Sequence, residues 1–103
     1  MSGRLQALCP LCGSAAEYCS ASHGNRKHFF CPRCTEFQIS GRAERDVGTA
    51  TQKRRDDLAS AASRAEPGTV LVILVPNAKR QEGFVYQAFE TDYVRRADLP
   101  PCE

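Results

Sequence analysis

Tryptophan is absent from this sequence, and three tyrosines and five phenylalanines are all the Trp, Tyr and Phe it has in 103 residues. A chain of this length suits one domain, or a small module with an extension. Domains near this size bury only about 60–65% of their unfolded surface. With so thin an aromatic core, a covalent or metal staple is expected. Long apolar runs are missing too. The longest, VLVILV at 70–75, is far short of the roughly 20 residues that a membrane-spanning helix needs. It has the length and β-branched content of a strand buried on both faces. MSGRLQALCP at the N-terminus lacks the apolar core of a secretory signal. These absences predict a cytoplasmic protein with no membrane association. In a reducing cytoplasm, cysteines bind metal more often than they pair as disulfides.

The usual catalytic signatures are lacking as well. There is no Ser/His/Asp set, nucleophile elbow or phosphate-binding glycine loop. Asp56 and Asp57 stand beside Arg54 and Arg55 in a helical stretch and read as solvated charges. Neither enzyme activity nor a small-molecule substrate is expected.

What the chain does have is cysteine, six in all. Residues 9–34 read CPLCGSAAEYCSASHGNRKHFFCPRC. Two Cys-x-x-Cys pairs are separated by eighteen residues, a spacing found in zinc sites. A Cys-x-x-Cys turn offers two thiolates from one tight loop, and its backbone amides can point at the sulfurs. Two such turns brought together by a hairpin complete a tetrahedron. Proline follows the first cysteine of each pair, and Gly13 follows the first pair. Cys9, Cys12, Cys31 and Cys34 are therefore the expected ligands of one structural zinc ion. Four protein ligands close such a site, whereas a catalytic zinc keeps a position open. Rubredoxin-like iron is the neighbouring alternative, but that family's tryptophan is missing. A thioredoxin-type redox motif would need a helix after one pair, and neither pair has one. Cys19 reads as a small buried side chain in a strand. Cys102, near the C-terminus, reads as a free exposed thiol. His23 and His28 flank the expected turn and are not needed as ligands.

CPLCG and CPRC resemble the two knuckles of the zinc-ribbon family, over about residues 7–40. The resemblance implies a β-hairpin between the knuckles. CPRCTEFQISGRA is also similar to the N-terminal zinc ribbons of uncharacterised bacterial proteins, where the second knuckle leads into an aromatic-x-Ile-Ser/Thr-Gly strand end and then a helix. That likeness brings no known activity. Thr35 stands where many knuckles carry glycine.

The rest of the chain divides by its punctuation. AEYCS, HFF and EFQIS predict three strands by alternation, with a turn at His23–Asn25 where Gly24 and Asn25 tolerate positive φ. RAERDVG predicts about one helical turn. A longer helix, QKRRDDLASAASRA, is expected to be capped by Thr49 or Thr51 and to stop before Pro67-Gly68. Its apolar stripe, Leu58, Ala61, Ala62 and Ala65, is made of small residues. TVLVILV and FVYQAFE predict a second hairpin with Lys79 and Arg80 at its tip. The tail TDYVRRADLPPCE is expected to fray or drape over the surface. The predicted fold class is thus small α+β. A zinc ribbon over 1–40 holds the two knuckles, a hairpin and a third strand. One helix and a C-terminal hairpin over 41–103 share its core.

Net charge is +2 but uneven: residues 1–64 carry a balance of +4 and residues 65–103 one of −2. Two functions follow. The first is a protein-interaction module, a small adaptor or inhibitor of a bacterial or phage complex, meeting a partner or a second copy through the apolar 69–90 hairpin. The alternative is nucleic-acid binding. Arg26, Lys27 and His28 at the ribbon tip beside Phe29 and Phe30, Arg54 and Arg55 on the helix, and Lys79 and Arg80 on the second loop would then supply phosphate contacts and stacking. The modest net charge and the apolar second half favour the interaction module.

Overall fold

The computed structural model describes residues 4–75 and 89–102. Six strands form one sheet in chain order: β1 (Leu5–Leu8), β2 (Ala15–Ala21), β3 (Arg26–Cys31), β4 (Thr35–Ser40), β5 (Thr69–Leu74) and β6 (Glu90–Arg95). Every neighbouring pair is antiparallel except β4 and β5, which run parallel. A parallel pair needs a crossover. Here the crossover is two helices, α1 (Gly41–Gly48) and α2 (Gln52–Ser63), and both pack on the same face of the sheet.

The scarce aromatics are concentrated on that face. Strand register places Leu5 opposite Tyr18, Tyr18 opposite Phe29, Phe29 opposite Phe37, Phe37 opposite Leu71 and Leu71 opposite Tyr93. One cross-strand row thus spans all six strands. The Phe29 and Phe37 rings stack with centroids 5.2 Å apart, and Tyr18 tilts against Phe29 at 5.4 Å. Ile39 and Ile73 continue the layer, and Ala43, Val47, Leu58 and Ala62 of the helices close over it. The Tyr93 hydroxyl donates to the Ala61 carbonyl at 2.7 Å, which ties β6 to α2.

α1 is longer than the single turn predicted. Ser40 caps it by accepting from the Ala43 amide at 3.1 Å, and Ala43 and Val47, four apart on one face, are both fully buried. Of the two candidate caps for α2, Thr51 is the one used; its hydroxyl accepts from the Arg54 amide at 3.2 Å. Arg55 turns back to donate to the carbonyls of Ala50 (2.7 Å) and Val47 (3.4 Å) at the end of α1.

Two of the strands also depart from the sequence expectation. β1 is a strand the sequence does not announce, because LQAL is only four residues long; it pairs with β2 alone among the described strands. ETDYVR forms β6, where TDYVR was expected to belong to the fraying or draping tail; of the predicted strand FVYQAFE, residues 84–88 lie outside the described residues. β5 is an interior strand, so the 69–74 segment presents no free edge to a partner. Among the described residues, no helix is long and apolar enough to cross a membrane.

The tail drapes rather than frays. After β6 and a short 3₁₀ turn (Arg96–Asp98), it crosses back over the face opposite the helices. Arg96 grips the Glu36 carboxylate with two nitrogens at 2.9 and 3.3 Å. The Gln38 amide donates to the Pro100 carbonyl at 3.0 Å. Cys102 forms a β-bridge with Ala21 and a disulfide with Cys19. The expectation of a free Cys102 is thereby corrected. The two cysteines are 83 apart in sequence, but the returning tail brings their Cα atoms to 5.5 Å, within disulfide geometry. Closing so long a loop typically contributes about 2–4 kcal/mol.

Two substitutions separate the weight of the core row from that of a helix cap. Phe37→Ala, which empties the centre of the row, is expected to cost about 3–5 kcal/mol in denaturant unfolding. Thr51→Ala is expected to cost about 1 kcal/mol, since only the cap is lost. Equal losses would mean that α2 is fastened by more than its packing.

Candidate metal centre

The two knuckles lie at one end of the ribbon strands. In the first, the Gly13 amide donates to the Cys9 carbonyl and the Cys9 amide to the Ser14 carbonyl, both at 2.8 Å. This closes a tight loop, and Gly13 completes it at φ +78°, a conformation that glycine adopts without strain. The second knuckle aims backbone amides at sulfur: those of Arg33 and Cys34 lie 3.4 and 3.3 Å from Cys31 Sγ. Thr35 then adopts φ +68°, where a β-branched residue is strained. Its hydroxyl donates to the Ala62 carbonyl at 3.2 Å. The departure from glycine therefore has a local reason, since the threonine fastens the knuckle to the end of α2.

The β2–β3 hairpin carries one knuckle to the other. Its turn uses positive φ at Ser22, His23 and Gly24 rather than at Asn25. As a result the ligand atoms of Cys9, Cys12, Cys31 and Cys34 all lie within 4.8 Å of one another. Cys9 Sγ is 3.9 Å from Cys34 Sγ, and Cys12 Sγ is 3.5 Å from Cys31 Sγ. Bonds of about 2.3 Å in a tetrahedron set sulfurs about 3.8 Å apart. The observed distances bracket that value and are far too long for disulfides, so the donor set fits one tetrahedral thiolate-bound ion. Such a set suits zinc or iron.

Electrostatics point the same way. Burial pushes the Cys9 thiol up to about 12 and the Cys34 thiol further in the same direction, and neighbouring thiols add to both. Cys12 differs. Burial raises it, but hydrogen bonds from Ser14 and from the Cys31 and Cys34 thiols outweigh this and bring it down to about 6. Four thiolates in this space repel one another, and only a cation among them makes the charged set favourable. Cys12 faces a cleft of about 380 Å³ against the polar side of α2, where Gln52 and Asp56 lie.

The other predicted site residues are not gathered into one surface. Arg26, Lys27 and His28 belong to strand β3 rather than to the turn, so they alternate between faces. Arg26 donates to the Gln38 side chain at 3.5 Å. Lys27 pairs with Glu44 on α1 at 3.0 Å and lies 4.8 Å above the Tyr18 ring. His28 is buried; one ring nitrogen meets Glu36 at 2.8 Å and the other Gln38 at 3.1 Å. Arg54 lies 6.0 Å from the Phe89 ring, and Arg55 caps α1. Lys79 and Arg80 lie outside the described residues. The Glu36–Gln38–His28–Arg96 network escaped sequence reasoning. Its one signal was polar Gln38 in the middle of an alternating strand.

Glu36 shows what the network does. Partial burial opposes ionisation, but Arg96 and then His28 hold its carboxyl below the usual range. Stability from this depressed carboxylate is present above its ordinary pKa and is lost as pH falls through the folded value. Removing the charge by Glu36→Gln is expected to destabilise the chain at neutral pH by about 1–2 kcal/mol, discounted because Arg96 is half exposed. The wild-type and variant stability curves should converge under acid conditions; a constant offset would mean that shape, not charge, is lost.

Cobalt(II) added to the metal-free chain should produce the visible bands of a tetrahedral thiolate complex at one equivalent. Cys31→Ser should weaken that binding by at least about tenfold, as one ligand and its two amide partners are lost. Octahedral spectra, or a variant equal to wild type, would overturn the site. Comparison of the chain with protein-family models, with curated proteins and with solved structures gives no match, so the role of the site must be argued from its own chemistry.

Proposed function

We propose that the chain is a non-catalytic zinc-ribbon protein acting as a protein-interaction module, a small adaptor or inhibitor of a larger complex. One structural zinc ion, held by Cys9, Cys12, Cys31 and Cys34, would offset the repulsion among four thiolates and clamp the two knuckles rigidly. The observation that carries this reading is the closed set of four sulfurs at the end of a sheet whose edge strand is apolar. All four positions of a tetrahedron are filled by protein, which leaves none for a substrate or an activated water.

The partner surface on this reading is β1 rather than the 69–90 segment. Leu5 and Leu8 are 55% and 71% exposed, and among the described residues one edge of β1 has no neighbouring strand. Beside it a shallow depression is lined by Gln6, Leu8, Glu17, Phe30 and Pro32. An open edge offers backbone hydrogen bonds to an added strand, and adjacent apolar side chains supply selectivity. The nucleic-acid alternative has less support, since Lys27 is paired, His28 is buried and Arg55 is engaged with backbone.

The test compares wild type with a Leu5→Glu/Leu8→Glu chain. The variant should keep the cobalt spectrum but lose a protein captured by wild type from the source cell. Equal capture by both would remove β1 as the surface. Binding of mixed-sequence DNA or RNA that falls steeply with salt would favour the alternative instead.

A further inference from the structure

The C-terminal strap and its disulfide take no part in the metal centre or the β1 edge. The strap is held by few groups. No residue of the 3₁₀ turn Arg96–Asp98 is buried, and after it Leu99 and Pro100 are only half-buried while Pro101 and Cys102 are exposed. Its non-covalent ties are the Arg96–Glu36 pair, the exposed Arg95–Asp98 pair, single hydrogen bonds from the Arg96 amide to the Gly68 carbonyl and from Gln38 to the Pro100 carbonyl, and the bridge to Ala21. Exposed ion pairs and single hydrogen bonds contribute little, so the covalent bond is the main fastening. Its two ends differ in access. Cys19 is 2% exposed in the middle of β2, whereas Cys102 is exposed. Cys102 also lines a cleft of about 490 Å³ together with His28, Phe30, Glu36, Arg96 and Pro101. A reductant can therefore reach one sulfur without unfolding the sheet.

We propose that the Cys19–Cys102 bond is a thiol-operated latch whose reduction lifts the 96–102 strap from the sheet. The thiolate of a dithiol reductant attacks Cys102 Sγ and forms a mixed disulfide. Cys19 leaves as a thiolate and takes up a proton. The second thiol of the reductant then attacks the mixed disulfide. Cys102 is released as a thiol, and the reductant becomes its own disulfide. Two electrons and two protons pass to the protein. The lifted strap takes the Pro100 carbonyl away from Gln38 and Arg96 away from Glu36. This opens the face around His28, Phe30 and Gln38 to water or to a binding partner. The core row on the opposite face is untouched, so the sheet and helices persist.

Hydrogen exchange read by mass spectrometry on the zinc-loaded protein tests the latch, with dithiothreitol as the dithiol and metal content measured in parallel. In the oxidised protein, alkylation without denaturant should leave Cys19 and Cys102 unmodified. Reduction should speed exchange over residues 96–102 by at least about tenfold while β3, β4 and the bound metal stay protected. Cys102→Ser should show the fast pattern with or without reductant. Three results would overturn the proposal: both thiols alkylated after treatment with oxidised glutathione, strap exchange unchanged on reduction, or β3 and β4 losing protection along with the strap. The last would make the bond a staple of the whole fold rather than a latch.

Discussion

Phe29 lies directly across from Phe37, and the stacking of these two rings sets the register between β3 and β4. That register does three things at once. It aligns the cross-strand row that the helices cover. It puts Cys31 opposite Thr35, so the second knuckle turns at the end of the sheet. It also sends His28 and Gln38 to the opposite face, beneath the C-terminal strap. A slip of one residue would exchange the faces. The aromatics would then meet the strap, and His28 and Gln38 would be buried under the helices without their partners. The two faces thus carry unlike chemistry because a strand alternates with a period of two.

A small sheet with few aromatics gains limited stability from burial. This chain adds two staples of different kinds at different places. Four cysteine sulfurs placed to hold a metal ion gather the first four strands at the knuckle end, and the bond between Cys19 and Cys102 closes the face away from the helices. The six cysteines divide by environment. Four have their sulfurs together at distances that suit a metal and not a disulfide, and backbone amides point at one of them. The other two meet only because the tail returns across five strands. The Glu36 and Gln38 side chains link β4, β3 and the strap into one polar layer, and no buried side-chain nitrogen or oxygen among the described residues lacks a partner. A fully satisfied network of this sort specifies one arrangement of the strap rather than several.

How much was legible depends on how local each feature is. The Cys-x-x-Cys pairs, the hairpin between them, the strand EFQIS, the helix that begins after Thr49 or Thr51 and the strand after Pro67-Gly68 could all be read in the sequence. Each is set by residues within a few positions of one another. α1 was underestimated because its burial depends on Ala43 and Val47 meeting the sheet, which seven polar-looking residues do not announce. The basic cluster Arg26-Lys27-His28 looked like a single surface in the sequence. In a strand, neighbouring side chains point to opposite faces, so Lys27 is parted from Arg26 and His28; Glu44 takes up Lys27, and Gln38 and Glu36 take up the other two.

By itself the sequence determined the thiolate knuckles and the strand alternation, because spacing along the chain fixes which side chains share a turn or a face. Only the tertiary structure decided that Cys102 meets Cys19, that β1 and ETDYVR are the outermost strands among the described residues, and that His28 lies buried among Glu36, Gln38 and the strap. The strap contacts join residues distant in sequence, and they depend on the α1–α2 crossover that sets β5 beside β4 and lets the tail turn back over the sheet.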